Sequence, residues 1–161
     1  MTEQPFTHLD SAGHARMVDV TEKQPTVRSA TASGLVACGP AVVAALRDGS
    51  VPKGDVLAVA RIAGISAAKR TAELLPLAHV IGVHGVVVDL RVEDDGVAIE
   101  ATVRTADRTG VEMEALTAVS VTALAVVDMV KGLDKSVRIS DVQLEAKSGG
   151  RSGDWRRAGD A

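Results

Sequence analysis

Apolar and polar side chains alternate most cleanly from Val97 to Arg104, and this period of two predicts a strand with one buried face. A second apolar run, from Val83 to Val92, precedes it. The letters EDDG at 93–96 separate the two runs, and Asp-Gly between apolar runs is typical of a hairpin turn. The chain therefore contains a predicted antiparallel pair of strands near its middle.

The rest of the pattern supplies further elements on both sides of this hairpin. Strands are predicted at 26–36 and 137–144, with a weaker one at 16–20, and helices at 39–47, 54–74 and 111–133. The order of strand, helices, strand, strand, helix, strand is the split βαβ arrangement of ferredoxin-like folds. We therefore expect an α+β sandwich, with an antiparallel sheet and helices packed on one face.

Length and composition narrow the class of protein. With 161 residues we expect one domain at 15–147, between a mobile arm at 1–14 and a Gly/Arg-rich tail at 148–161. The net charge of −3 argues against a nucleic-acid partner but allows a small anionic ligand. A single cysteine, Cys38, excludes a disulfide framework and a cysteine zinc site and favours the cytoplasm.

Two further observations argue against export and against a membrane. The first residues, MTEQPFTHLDSAG, have neither a basic start nor an apolar run, so we expect no signal peptide. The richest apolar run, 118–127, has about half of the ~20 residues that cross a bilayer. We therefore expect a cytoplasmic protein with no membrane partner.

The long predicted helix carries the first candidate chemistry. Asp128 and Lys131 are three residues apart, so they share a face and could be no more than a surface ion pair worth ~0.3–0.5 kcal/mol. Glu114 lies fourteen residues before Asp128, which on a straight helix is roughly 21 Å. Because one small substrate cannot reach both, this spacing suggests a site shared between subunits.

Other candidates are weaker alone. Lys69 lies late in a predicted helix, where a cation also suits the helix dipole, and His79 follows the proline that stops that helix. Lys53 precedes a predicted helix start. The run KSGGRSG at 147–153 could cradle phosphate with its backbone N–H groups, although it lacks the P-loop pattern and a flexible tail is the simpler interpretation.

Three long segments in one order carry a family resemblance. They are KGDVLAVARIAGISAAKRTAELLPLAH at 53–79, TGVEMEALTAVSVTALAVVDMVKGLDK at 109–135 and KSGGRSGD at 147–154. Together they resemble the cyclic pyranopterin monophosphate synthase (MoaC) family of molybdenum cofactor biosynthesis. The resemblance covers nearly the whole chain and implies a ferredoxin-like catalytic domain.

The resemblance also implies an activity and an assembly. The expected lyase rearranges the 3′,8-cyclised dihydro-GTP intermediate to cyclic pyranopterin monophosphate and releases pyrophosphate. The expected oligomer is a hexamer, a trimer of dimers, with its active site at a subunit interface. No resident cofactor or protein-bound metal is implied, and Mg²⁺ is an option for neutralising the triphosphate.

Site residues carry over from the resemblance position by position. The expected catalytic residues are Lys53, His79, Asp128 and Lys131. The expected substrate-binding residues are Arg28, Lys69, Glu112, Met113, Glu114 and Lys147.

An alternative from another class stays open on the sequence. Where the family usually reads PLCHP, this chain has Ala78 before His79 and Val80 after it. These two changes favour a non-catalytic paralogue that binds a nucleotide or pterin as a regulatory or scaffold oligomer. Retention of both Lys53 and Lys131 favours the enzyme.

Overall fold

A computed structural model of the protein describes residues 9–10 and 12–158. The strands are β1 Thr26–Ala37, β2 Gly85–Glu93, β3 Gly96–Asp107, β4 Arg138–Ser148 and β5 Trp155–Arg156. The helices are α1 Pro40–Asp48, α2 Val56–Ala68, α3 Thr71–Leu74 and α4 Glu112–Val130.

The strands form one five-stranded antiparallel sheet in the order β2-β3-β1-β4-β5. Its first four members have the ferredoxin-like order, and the helices pack on one face, so the predicted α+β class is confirmed. The predicted hairpin is also present, because Glu93 pairs with Gly96 across a two-residue turn. At the other edge β5 adds a short strand to β4, within the segment expected to be a tail.

The core lies between the sheet and the helices and is built from small aliphatic side chains. The inward face of β3 is fully buried, as the alternation predicted, and β1 contributes Ala30, Ala32 and Val36 beside it. Helix α4 approaches β1 so closely that a Cβ on Gly34 would lie 2.7 Å from Val119 Cγ1. Glycine is therefore required at that point of β1.

Helices α2 and α4 pack antiparallel to each other. Lys53, just before α2, contacts Asp128 near the end of α4, whereas Gly64 lies farther along α2 beside Ala118 and Thr122. A Cβ on Gly64 would overlap Thr122 Oγ1 and lie 3.0 Å from the Ala118 carbonyl oxygen. The close approach of the two helices therefore depends on the absence of a side chain at Gly64.

Two sequence predictions about local structure were wrong. The predicted helix at 54–74 ends at Ala68 and restarts as α3 at Thr71, because the buried Thr71 hydroxyl donates 3.2 Å to the Ala68 carbonyl. The weak strand at 16–20 does not form. Its Val18 carbonyl instead accepts a hydrogen bond from His79 Nε2 at 2.7 Å.

The domain limits stay predictions. Most of the predicted arm at 1–14 lies outside the described residues, and its described part includes Leu9, which forms an isolated bridge to Ala15.

Helix α4 has the length and composition to cross a bilayer. The apolar run at 118–127 was too short for this, but the helix extends beyond that run at both ends. Half of its apolar window is nevertheless buried inside the protein, as in the core helix of a globular domain.

Candidate active site

Three of the four expected catalytic residues meet at the end of α4. Lys131 Nζ donates to Asp128 Oδ1 at 2.6 Å. Lys53 Nζ donates to Asp128 Oδ2 at 3.1 Å and to the Asp128 main-chain oxygen at 2.7 Å. These hydrogen bonds, first from Lys131 and then from Lys53, hold the pKa of the Asp128 carboxyl below its usual value. We call Lys53, Asp128 and Lys131 the lysine cluster.

The turn before α2 places the Lys53 side chain next to the Asp128 carboxylate. Gly54 adopts a φ of +96°, which favours glycine, and its N–H donates 3.0 Å to the Val51 carbonyl. Asp55 then caps α2 by accepting 3.0 Å from the Ala58 N–H. Since all three cluster side chains are exposed, the cluster is open to a ligand from solvent.

A cavity of about 600 Å³ opens at the other end of α4, and we call it the His79 cavity. Residues from the segment before β1, from the loop after α3, from the start of α4 and from the glycine-rich turn meet around it. They are Val18, Val20, Lys23, Leu77, Ala78, His79, Thr109, Gly110, Glu112, Met113, Glu114 and Arg151.

Glu114 is the buried carboxyl group of this cavity. It is only 4% exposed, and burial is the largest cause that raises its pKa above the usual value. The negative charge of Glu112 raises it further, while the neighbouring His79 lowers it. Because a raised pKa favours the protonated acid, Glu114 is suited to proton transfer.

His79 itself is half-buried. Because the Val18 carbonyl can only accept, the ring nitrogen Nε2 is the donor of their hydrogen bond, which leaves Nδ1 as the acceptor in the neutral ring. A histidine whose Nε2 is fixed as a donor therefore lies in the same cavity as a buried carboxyl group.

Glu112 links the cavity to β4. Its carboxylate lies against Gly110, where a Cβ would overlap it, and its Oε1 is 3.7 Å from Lys147 Nζ. Lys147 also donates to the Ser152 hydroxyl, so the lysine spans the start of α4 and the glycine-rich turn. Both side chains of the Lys147–Glu112 pair are less than one-third exposed.

The glycine-rich turn lies against Arg28. Gly149 and Gly150 have φ of +84° and +74°, and a Cβ on Gly150 would overlap the Arg28 guanidinium. Arg28 Nε donates to the Asp107 carbonyl at 3.0 Å and Nη2 to the Arg108 carbonyl at 3.2 Å. The segment for which the sequence favoured a flexible tail over a phosphate cradle is thus an ordered turn next to the Arg28 cation.

The two remaining residues expected to bind substrate are Met113 and Lys69. Met113 is 44% exposed and lines the cavity. Lys69 is exposed at the end of α2, and within residues 9–10 and 12–158 its side chain makes no hydrogen bond or ion pair. Because α2 and α4 are antiparallel, Lys69 lies toward the α4 end that carries Glu114.

The expected site residues therefore form two groups at opposite ends of α4. The lysine cluster lies at the end of the helix, and the His79 cavity lies at its start. Sequence reasoning left Val18, Val20 and Lys23 out of the expected site, and the path of the segment before β1 brings them to the cavity. Arg151 was visible as a cation in the glycine-rich run but was left out of the expected site.

The two groups bring several cations close to acid–base side chains. Cations suit a phosphorylated ligand, whereas His79 and Glu114 suit proton transfer. Fold and site together define a ferredoxin-like α+β protein whose candidate site combines cations with a histidine and a buried carboxyl group.

Comparisons with known proteins agree with this class. The model of the MoaC family matches residues 17–150. A relative from Streptomyces coelicolor is 64% identical over 95% of this chain and 90% of its own length, and one from Streptomyces griseus is 62% identical over 97% and 88%. A third, from Nocardioides, is 59% identical over 98% and 99%. All three are named cyclic pyranopterin monophosphate synthase.

The chain belongs to the MoaC family. It is accordingly an enzyme, a lyase of molybdenum cofactor biosynthesis. The alternative of a non-catalytic paralogue, which Ala78 and Val80 suggested, has no support from these relatives.

Proposed function

We propose that the protein converts the 3′,8-cyclised dihydro-GTP intermediate to cyclic pyranopterin monophosphate and releases pyrophosphate. The observation that carries this proposal is the His79 cavity, where a histidine and a buried carboxyl group lie beside cations. The names of the relatives contain cyclic pyranopterin monophosphate, which is the product of the proposed reaction.

The cations supply the triphosphate site in this proposal. Lys147 and Arg151 lie at the glycine-rich turn, and Arg28 lies directly beneath that turn. Lys69 approaches from the end of α2. A highly charged phosphate ligand is bound through several such charge-assisted hydrogen bonds, and arginine adds a bidentate geometry.

Proton transfers fall to the buried end of the cavity. Ring opening and closure move protons on the substrate, so an acid and a base are needed within hydrogen-bond reach. Glu114, with its raised pKa, serves as the acid, and His79 serves as the base. Glu112 and Met113 shape the wall between them and the solvent.

The lysine cluster acts on the phosphate-closing step. A substrate hydroxyl loses its proton to the base His79 and attacks the α-phosphorus, and the bond from that phosphorus to the leaving pyrophosphate oxygen breaks. Lys53 and Lys131 neutralise the charge that develops, and Asp128 holds both ammonium groups in place through its two carboxylate oxygens. This arrangement requires the cluster and the cavity to reach the same substrate.

Within a single chain, the lysine cluster and the His79 cavity are too far apart to reach the same substrate. Glu114 and Asp128 belong to one continuous helix, and fourteen residues at 1.5 Å each span roughly 21 Å. The lysine cluster of one subunit must then meet the His79 cavity of a neighbour. We therefore extend the proposal to a homo-oligomer, a hexamer assembled as a trimer of dimers, with its active sites between subunits.

The proposed reaction uses no resident cofactor. Within the described residues, no three His, Cys, Asp or Glu side chains are grouped to hold a metal ion. Mg²⁺ in proteins is commonly bound by one or two carboxylates together with substrate phosphates, so any Mg²⁺ would accompany the triphosphate. The cytoplasm, where the GTP-derived substrate would be made, is the proposed location.

The direct test incubates the purified protein with the cyclised GTP intermediate and measures pyrophosphate and the pyranopterin product. Lys131→Ala is expected to form no product, whereas Lys135→Ala, an exposed lysine four residues on, is the matched control and is expected to stay active. Binding of the intermediate without turnover by the wild-type protein would support the non-catalytic paralogue instead.

A mixing experiment tests the shared site. Glu114→Ala and Lys131→Ala chains are each expected to be inactive alone. After dissociation and reassembly together, some interfaces carry both lesions and others carry none, so part of the activity is expected to return. If mixed oligomers form and no activity returns, each site lies within one chain and the shared-site proposal is wrong.

A further inference from the structure

The end of β3 contacts two separate parts of the site, the loop that carries His79 and the Arg28 side chain. Asp107, the last residue of β3, accepts hydrogen bonds on both carboxylate oxygens, from the Arg108 N–H at 2.7 Å and from the Gly82 N–H at 3.2 Å. These two N–H groups, Arg108 first, lower the pKa of the Asp107 carboxyl. Asp107 is therefore a charged acceptor for main-chain groups of two segments.

The bond to Gly82 acts on the loop that carries His79. This loop connects α3 to β2, and Gly82 lies three residues after His79. Both main-chain groups of Gly82 are hydrogen-bonded, because its N–H donates to Asp107 and its carbonyl accepts from the Thr105 hydroxyl at 2.5 Å. On the other side of the loop, the Ala78 N–H donates 3.0 Å to the Leu75 carbonyl.

The main-chain carbonyl of Asp107 has a different partner. It accepts the 3.0 Å bond from Arg28 Nε, the cation beneath the glycine-rich turn. A change of the Asp107 side chain therefore removes the bond to Gly82 but leaves the acceptor of Arg28 in place. An experiment can therefore change the loop that carries His79 without removing the main-chain acceptor of Arg28.

We propose that Asp107 is a positioning residue that holds the loop 75–84 through Gly82 and thereby places His79 in the cavity. The proposal rests on the proposed function for its kinetic consequence, but its structural consequence is independent of activity. Within the described residues, the Asp107 side chain makes no hydrogen bond to a residue that lines the His79 cavity, because its partners are Gly82 and Arg108.

The structural test compares Asp107→Ala with Asp89→Ala by amide exchange and by NMR of the histidine rings. Asp89 is an exposed aspartate of β2 without a side-chain hydrogen bond among the described residues, so it is the matched control. In Asp107→Ala, faster exchange at the Gly82 amide by about tenfold or more and shifted ring resonances of His79 are expected. In Asp89→Ala both are expected to match the wild type.

A second pair of variants distinguishes a local effect at Gly82 from a general loss of folding. Thr105→Val removes the hydroxyl that bonds to the Gly82 carbonyl and lies 3.4 Å from His84 Nδ1, with little change of shape, whereas Thr105→Ser keeps the hydroxyl. Thr105→Val is expected to move the His79 resonances in the same way, and Thr105→Ser to restore them. Unchanged Gly82 exchange and unchanged His79 resonances in a folded Asp107→Ala protein would overturn the proposal.

The kinetic test is a double-mutant cycle with His79. Asp107→Ala is expected to lower kcat by about tenfold to a hundredfold with KM nearly constant, since a misplacement near 1 Å can cost about 10²-fold. In a His79→Ala background the same change is expected to cost nothing further. An equal additional loss in that background would show that Asp107 does not act through His79. If the wild type has no turnover, the proposed function fails, and the exchange and NMR results still decide the role of Asp107.

Discussion

Replacing Gly64 with alanine tests the contact on which the relation between α2 and α4 depends. The new Cβ would overlap Thr122 Oγ1 and lie 3.0 Å from the Ala118 carbonyl oxygen, both in the neighbouring helix. Thr122 is fully buried, so its side chain is surrounded by packed neighbours and its hydroxyl cannot move into open space. Because neither neighbour can withdraw, the two helices must separate.

The expected cost follows from two opposing effects. Overpacking a close-packed interior costs about 1–3 kcal/mol, and the upper end applies here because one contact is with backbone. Alanine in a helix interior gains back about 1 kcal/mol relative to glycine. The net loss of unfolding free energy is therefore about 2 kcal/mol, which lowers Tm by about 4–8 °C for a domain of this size.

Thermal unfolding followed by circular dichroism measures this loss, at one protein concentration because assembly would shift Tm. Gly132→Ala is the matched control, since its Cβ would meet nothing within 4 Å, and it is expected to be neutral or slightly stabilising. Adding Thr122→Ala to Gly64→Ala is expected to recover part of the loss, with a coupling above ~0.5 kcal/mol. A Gly64→Ala protein as stable as Gly132→Ala, with no coupling to Thr122, would refute the reasoning.

Three further changes act on the site itself. Lys53→Ala removes both bonds from Nζ to Asp128 and is expected to abolish turnover with the oligomer intact by light scattering; near-normal product formation would remove Lys53 from the mechanism. Glu114→Gln is expected to raise Tm at pH 7–8, because burial raises the pKa of Glu114 and its ionised form destabilises the fold as pH rises. This gain in Tm should vanish below pH 4.5, and a gain independent of pH would contradict the role of Glu114 ionisation. Gly150→Ala places a Cβ against the Arg28 guanidinium and is expected to raise KM more than it lowers kcat in steady-state kinetics, so an unchanged KM would show that Arg28 does not bind substrate.

Much of the fold could be predicted from the sequence because its signals are local. Alternation from Val97 to Arg104 identified β3 and its buried face, and the EDDG turn identified the hairpin with β2. The glycine and proline at 39–40 identified the start of α1. These features depend on residues adjacent in the chain, so period and turn chemistry were sufficient.

The candidate site was predictable only where residues belong to motifs. The lysine cluster joins two motif segments, and the structure brings Lys53, Asp128 and Lys131 within hydrogen-bond distance, while their catalytic role stays a prediction. The distance between Glu114 and Asp128 also followed from the sequence, because a continuous helix has a constant rise.

The tertiary structure alone decided the remaining features, which depend on contacts between residues far apart in the sequence. The break between α2 and α3 and the two-residue strand β5 have no periodic signal. Lys23 reaches the His79 cavity through the path of its segment, and Asp107 reaches Gly82 across a β-strand pair. A side chain that bonds to a distant main-chain group leaves no pattern in its own neighbourhood, because a main-chain N–H or carbonyl is present at nearly every residue.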